Sequence, residues 1–142
     1  MPKRQANAKW MGNLQKGNGS MEVESGAFKG QYSFASRFES GSGTNPEELI
    51  AAAHAGCFSM ALSHVLDGAG FAPQSVATEA TVSLDKVGED FTITKIILET
   101  EAQVPDISDE DFQKYAEEAK NNCPVSKALA GPEIKLNAKL IS

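Results

Sequence analysis

Two cysteines, Cys57 and Cys123, are the residues of this 142-residue chain whose type and setting suggest chemistry. Cys57 lies in an apolar, small-residue stretch, residues 49–62, and Cys123 opens the segment Cys123-Pro124-Val125-Ser126. Two thiols can be core fillers, a disulfide, metal ligands or a redox pair, and only the fold can bring these two together. Cys123 stands just before a proline, at the expected N-cap of a short helix. A sulfur there faces backbone N–H groups and the positive end of a helix dipole, which lowers a thiol pKa. Cys57 is the opposite case. A thiol in an apolar helix is pushed up and stays inert unless a cation stands near it. Helical spacing offers His54 at i−3 and His64 at i+7, and Arg37 is the third candidate. Local reasoning therefore favours Cys123 as the activated thiol.

Rival constellations are weaker. Two Cys and two His match the count of a structural zinc site, but no C-x-x-C or H-x-x-x-H spacing is present. Cys–His acyl transfer needs His54 or His64 to reach Cys57 from within one helix, with no nucleophile-elbow motif in view. Glu48 lies nine residues before Cys57, on the opposite side of an ideal helix. By itself it reads as a carboxylate closing a capping box at a helix N-terminus.

The elements that must hold these residues read as α+β. Short strands are expected over residues 8–11 and 21–24, with turn residues at 16–20 between them and Gly30 as a further break. Arg37 then precedes a Gly/Ser-rich loop, residues 39–44. Asn45 as N-cap, Pro46 at the first helical position and Glu48 at N3 predict a helix over residues 45–67, stopped by Gly68 and Gly70. It is apolar or small on most faces, so it should be a buried central helix. Strands are predicted over 76–84 and 91–104, joined by a turn at 87–90. The apolar phase shifts between Ile93 and Ile96, which implies a bulge. Ser108 should cap a helix whose buried stripe is Phe112, Tyr115, Ala116 and Ala119. A short helix after Cys123 and a last strand over 134–140 complete the chain. Strands, helix, hairpin, helices and strand in this order exclude an alternating βαβ fold.

The whole chain, residues 1–142, is expected to be a single domain. A net charge of −6 with scattered basic residues argues against nucleic acid as a partner. The apolar run of residues 49–62 is shorter than the roughly 20 residues that cross a bilayer, so no membrane association is expected. The first residues lack the apolar core of a signal peptide, so the expected location is cytoplasmic, where a stable structural disulfide is uncommon.

Thr44-Asn45-Pro46-Glu47-Glu48-Leu49-Ile50-Ala51-Ala52-Ala53-His54-Ala55-Gly56-Cys57-Phe58-Ser59 resembles the central-helix motif of the OsmC/Ohr family of thiol peroxidases. Asn122-Cys123-Pro124-Val125-Ser126-Lys127-Ala128-Leu129 resembles that family's second-cysteine motif. Length and element order match over nearly the whole chain, and the long stretch before Arg37 is more similar to the OsmC branch than to Ohr. The resemblance implies an intertwined α+β homodimer with buried central helices packed against antiparallel-rich sheets and active sites at the subunit interface. It implies that Cys57 is the peroxidatic cysteine and Cys123 the resolving cysteine. Arg37 would stabilise the thiolate and Glu48 would pair with Arg37, with no departure at these four positions. It reverses the order that local reasoning gave the two thiols. The implied activity is reduction of organic hydroperoxides to alcohols, in defence against peroxide, oxidative or osmotic stress. A disulfide intermediate would be recycled by a dithiol reductant, a dihydrolipoyl-type one among the candidates, with no metal or organic cofactor. The competing class is a non-enzymatic metal- or ligand-binding dimer with structural cysteines.

Overall fold

A computed structural model of the protein describes residues 1–141. The chain groups into two compact units, Met1–Leu49 and Ile50–Ser142. The first holds three strands, β1 (Ala6–Met11), β2 (Asn18–Val23) and β3 (Lys29–Tyr32), in an antiparallel sheet of order β1-β2-β3. Strand pairing begins earlier than the turn residues suggest. Asn18 and Gly19 already pair across the sheet, and Gly30, expected as a break, pairs inside β3. Gly19 is packed under aromatic rings: an added Cβ would meet Trp10 at 2.6 Å and Tyr32 at 2.7 Å. Glycine here makes room for the Trp10–Tyr32 ring pair, 5.3 Å between centroids, so its missing side chain favours the strand it would ordinarily weaken.

Just before the Gly/Ser-rich loop, where no helix was expected, residues 34–38 form a short helix, α1 (Phe34–Phe38). Its start is a serine capping box. The Ser36 amide donates to Ser33 Oγ at 3.2 Å, and the Ser33 amide donates to Ser36 Oγ at 2.8 Å. The Gly/Ser-rich loop then folds back, the Thr44 amide donating to the Gln31 carbonyl at 2.8 Å. Gly43 has φ +114, and a Cβ there would sit 2.7 Å from the Gln31 oxygen, so no other residue fits without strain.

The long helix α2 (Pro46–Gly68) starts as predicted, the Glu48 amide donating to Asn45 Oδ1 at 2.7 Å. At 23 residues it is long and apolar enough to cross a membrane by length and composition, beyond what the shorter run 49–62 suggested. Its buried stripe is instead part of a protein core: His54, Phe58, Leu62 and Leu66 recur every four residues and are fully buried. Burying each of the three apolar members contributes roughly 1.5–3 kcal/mol. The expectation of burial on most faces fails for the single chain. Ala52, Gly56 and Met60, also four residues apart, are exposed, Met60 by 77%. One chain's sheet covers only one side of the helix.

In the second unit, β4 (Ser75–Val87) and β5 (Asp90–Gln103) form a long hairpin around Gly88-Glu89, with Gly88 at φ +65. The expected bulge is present. Ser83 faces Lys95 and Leu84 faces Ile93, which leaves Thr94 unpaired, its hydroxyl donating to the Asp85 carboxylate. β6 (Glu133–Leu140) adds to β5 in parallel, giving the order β4-β5-β6. Helix α3 (Asp109–Asn122), capped by Ser108, buries Phe112, Ala116 and Ala119. These meet Phe58, Leu62, Leu66, Ile96 and Leu98 in one core. The short α4 (Pro124–Ala128) follows directly.

Candidate active site

In the first unit, Arg37 sits in the last turn of α1 and forms a two-pronged ion pair. Its Nε donates to Glu47 Oε1 at 3.1 Å and its Nη2 to Glu47 Oε2 at 2.9 Å. This fork matches the planar guanidinium to both carboxylate oxygens. The partner expected from the resemblance, Glu48, does not hold Arg37. Helical phase explains the correction. Glu47 is at N2, whereas Glu48 at N3 lies over the helix start, where its Oε2 accepts from Thr44 Oγ1 at 2.7 Å. Glu48 thus secures the loop entering α2. Glu47 is buried and Arg37 keeps 36% of its side chain exposed, with its guanidinium 5.3 Å from the Phe38 ring. Ser36 anchors α1 by donating to the Thr44 carbonyl at 2.7 Å, and Asn45 Nδ2 donates to the Ser36 carbonyl at 3.0 Å. The residue that caps α2 therefore also ties down the turn that carries Arg37.

In the second unit the fold brings the two cysteines together. Cys57 Sγ on α2 and Cys123 Sγ lie 2.8 Å apart as free thiols. That is longer than the roughly 2.05 Å of a disulfide bond, yet close enough for one proton to be shared. Cys123 is fully buried and serves as both C-cap of α3 and N-cap of α4. The N-cap position read from Pro124 is therefore correct. The sulfur closes no N-cap hydrogen bond of standard geometry; the donors around it act at longer range. Burial pushes the Cys123 thiol up. The Cys57 thiol, the Ser126 amide and hydroxyl and the Val125 amide together outweigh it and draw its pKa below the ordinary thiol value. Cys57 goes the other way: burial and the neighbouring sulfur raise its pKa, with only the Val125 amide opposing. Within this unit Cys123 is the more acidic of the two thiols, the order that local reasoning gave.

The two histidines part company. His64 is exposed. His54 is fully buried, and its Nε2 lies 2.7 Å from Ser126 Oγ. Burial holds its pKa below the ordinary histidine value, so the imidazole is neutral at pH 7. Among the described residues no group of three or more His, Cys, Asp or Glu is arranged to hold a metal ion. Sequence reasoning missed Glu47 and Ser126. Glu47 was visible as the other carboxylate in the first turn of α2. Ser126 had a weaker signal, as the N3 residue of a helix capped by a cysteine.

A paired-thiol site on a long central helix, with a second cysteine at a helix start, defines a class of protein, and comparison with known proteins agrees. The family model described as OsmC-like protein matches residues 39–139. The chain is 50% identical over 140 residues to peroxiredoxin OsmC of Escherichia coli, covering 98% of this chain and 97% of that protein. It is 38% identical over 88 residues to organic hydroperoxide resistance protein-like 2 of Staphylococcus saprophyticus, covering 61% of this chain and 60% of that protein. The crystal structure of an organic hydroperoxide resistance protein OsmC from Legionella pneumophila superposes with a TM-score of 0.71 at 27% identity, covering 95% and 96% of the two chains. This protein belongs to the OsmC-like family.

Proposed function

We propose that the protein is a thiol peroxidase that reduces organic hydroperoxides to alcohols. The observation that carries this reading is the 2.8 Å contact between Cys57 and Cys123, in a chain half identical to a peroxiredoxin. Cys57 thiolate attacks the distal peroxide oxygen, the O–O bond breaks and the alkoxide leaves, taking a proton to become the alcohol. Cys57 is then a sulfenic acid. Cys123 sulfur attacks Cys57 sulfur, the S–O bond breaks, and hydroxide leaves with the Cys123 proton as water. A dithiol reductant exchanges with the resulting disulfide and restores both thiols.

Within its unit Cys57 is the less acidic thiol, so it needs a cation to react first. We assign that role to Arg37, held rigid by Glu47; an opposite charge at close range lowers a thiol pKa by roughly 1–3 units. The working form is a homodimer. The exposed Ala52, Gly56 and Met60 face of α2 is the support for this, since an apolar helix face is ordinarily covered. A location in the reducing cytoplasm fits a cysteine pair that cycles rather than a permanent crosslink.

The test is one equivalent of an alkyl hydroperoxide followed by mass spectrometry. Loss of two hydrogen atoms as a Cys57–Cys123 disulfide is expected, with alcohol formed in equal amount. Cys57→Ser should show neither. Peroxide consumption by folded Cys57→Ser would overturn the assignment. Sedimentation of a folded, active monomer at micromolar concentration would overturn the dimer.

A further inference from the structure

The proposed reaction uses both sulfurs and leaves a buried histidine unexplained. His54 is fully buried one turn before Cys57, and its Nε2 contacts the buried Ser126 hydroxyl at 2.7 Å. Its Nδ1 is buried without a partner. That orphan fixes the tautomer. A buried N–H without an acceptor is rarer and costlier than a lone pair without a donor. The proton therefore sits on Nε2, and His54 donates to Ser126 Oγ. The serine hydrogen is left free to point elsewhere. Ser126 is N3 of α4 and Cys123 is its N-cap, so the two residues are three apart, within one helical turn of each other.

We infer that His54, acting through Ser126, is a positioning residue for the resolving thiol: Nε2–H donates to Ser126 Oγ, and the Ser126 hydroxyl donates to Cys123 Sγ. This deepens the proposed peroxidase reading and rests on it for the step affected. A chain of two donors ending on sulfur favours the thiolate and strengthens by polarisation. The Ser126 hydroxyl does act on Cys123 to favour its charged form. The beneficiary is disulfide formation. Cys123 thiolate displaces hydroxide from the Cys57 sulfenic acid, the S–S bond forms as the S–O bond breaks, and the proton given up by Cys123 leaves with hydroxide as water. The chain also aims the sulfur, because Ser126 on α4 is held against His54 on α2.

The titratable groups in the turns on either side of Cys123, and its partner on α2, are accounted for. Cys57 on α2 is the partner sulfur. Lys120 in the last turn of α3 is engaged with Glu117 at 3.3 Å, and Lys127 in the last turn of α4 is exposed. Neither lysine takes part in the chain from His54 to sulfur.

The experiment measures the Cys123 pKa directly, by ultraviolet thiolate absorbance in a Cys57→Ser background, so that one thiol titrates. Ser126→Ala should raise that pKa by about one unit, and His54→Leu should raise it by less. Ser126→Thr and His54→Gln, which keep the hydroxyl and the Nε donor, should restore it. With both cysteines present, Ser126→Ala should slow the sulfenic-to-disulfide step about tenfold at pH 7 and recover as pH rises, since a pKa unit is a factor of ten in thiolate. The first, peroxide-consuming step should not slow to the same extent in single-turnover traces. An unaltered Cys123 pKa in folded Ser126→Ala protein would overturn the inference. A shifted pKa in a protein that consumes no peroxide would sink the peroxidase reading and leave the hydrogen-bond chain standing.

Discussion

Arg37 and the cysteine pair are tuned by opposite means. The guanidinium is a permanent charge held near solvent, 36% exposed, with a carboxylate fork fixing its direction. Cys123 is buried and Cys57 half-buried, and the groups that act on their sulfurs are amides and a hydroxyl, the hydroxyl itself in contact with a neutral imidazole. The first arrangement needs only neighbours. Arg37 and Glu47 are ten residues apart, and the serine box of α1 and the Asn45 cap of α2 between them suffice to aim the pair. The second needs the tertiary fold, because Cys57 and Cys123 are 66 residues apart, and so, at 72, are His54 and Ser126. A fixed charge can thus be built locally, whereas shifting a thiol without one takes burial plus several converging donors.

The largest expected effect tests the sulfur side. Cys123→Ser should permit one fast reaction with peroxide and then stop, with Cys57 trapped as sulfenic acid or oxidised further. Intact mass after one and after many equivalents would show it. Sustained turnover with a dithiol would mean that Cys123 is a bystander and that the contact between the sulfurs is mere packing.

The charged side comes next. Arg37→Ala should slow single-turnover peroxide reduction at pH 7 by at least about tenfold, the lower end of the 1–3 units that a close cation shifts a pKa. Raising the pH should restore part of the rate by restoring thiolate. Arg37→Lys should fall between, keeping the charge and losing the fork. If Arg37→Ala leaves the Cys57 pKa unchanged, the two regions act independently and the cysteine pair activates itself.

The comparison also explains what could be read in the sequence. Both cysteines were legible because glycine, alanine and proline around them restrict what a cysteine there can be. The bulge at Thr94 was legible as a phase slip between Ile93 and Ile96, because side-chain period in a strand is strictly two. The Arg37 partner was misread by one residue. Two adjacent glutamates in a first turn differ only in azimuth, and the choice depends on where α1 lies, which Ser33 and Ser36 decide. The exposed side of α2 had no signal of its own: an apolar face looks the same in sequence whether its cover comes from the same chain or from outside it. His54 next to Ser126 was invisible, since nothing local links residues in two helices.

That one-residue correction gives a sharper and smaller test. Glu47→Gln should lower the peroxide rate severalfold, because it leaves Arg37 charged but unpaired on one side. Glu48→Gln should leave the rate alone and cost about 0.3–1 kcal/mol of stability, the worth of a carboxylate in a first helical turn. Urea midpoints and single-turnover rates on both variants would separate the roles. The reverse pattern, a slow but stable Glu48→Gln, would return Arg37's control to Glu48.

The smallest effect is on stability against pH, and it sets the buried site apart from the charged one. His54 is buried and its pKa is lowered from the ordinary value by that burial. In the unfolded chain it titrates near the ordinary histidine value of about 6.5. Above that pH neither state carries the proton, and His54 adds no slope. As pH falls through about 6.5 the unfolded chain takes up a proton that the folded chain refuses. Unfolding free energy then drops by up to about 1.4 kcal/mol per pH unit until the lower, folded pKa is reached. Ordinary carboxylates titrate near about 4, so the window from pH 6.5 to about 5 isolates the histidine. His54→Gln should be less stable than the parent protein at pH 7, through imperfect packing, and should lose less on acidification. The gap between the two urea midpoints should therefore narrow between pH 7 and pH 5. His64 is exposed and common to both proteins, so it cancels. Curves that stay parallel across that window would show that the buried imidazole accepts a proton as readily as water allows, and that burial does not set its charge.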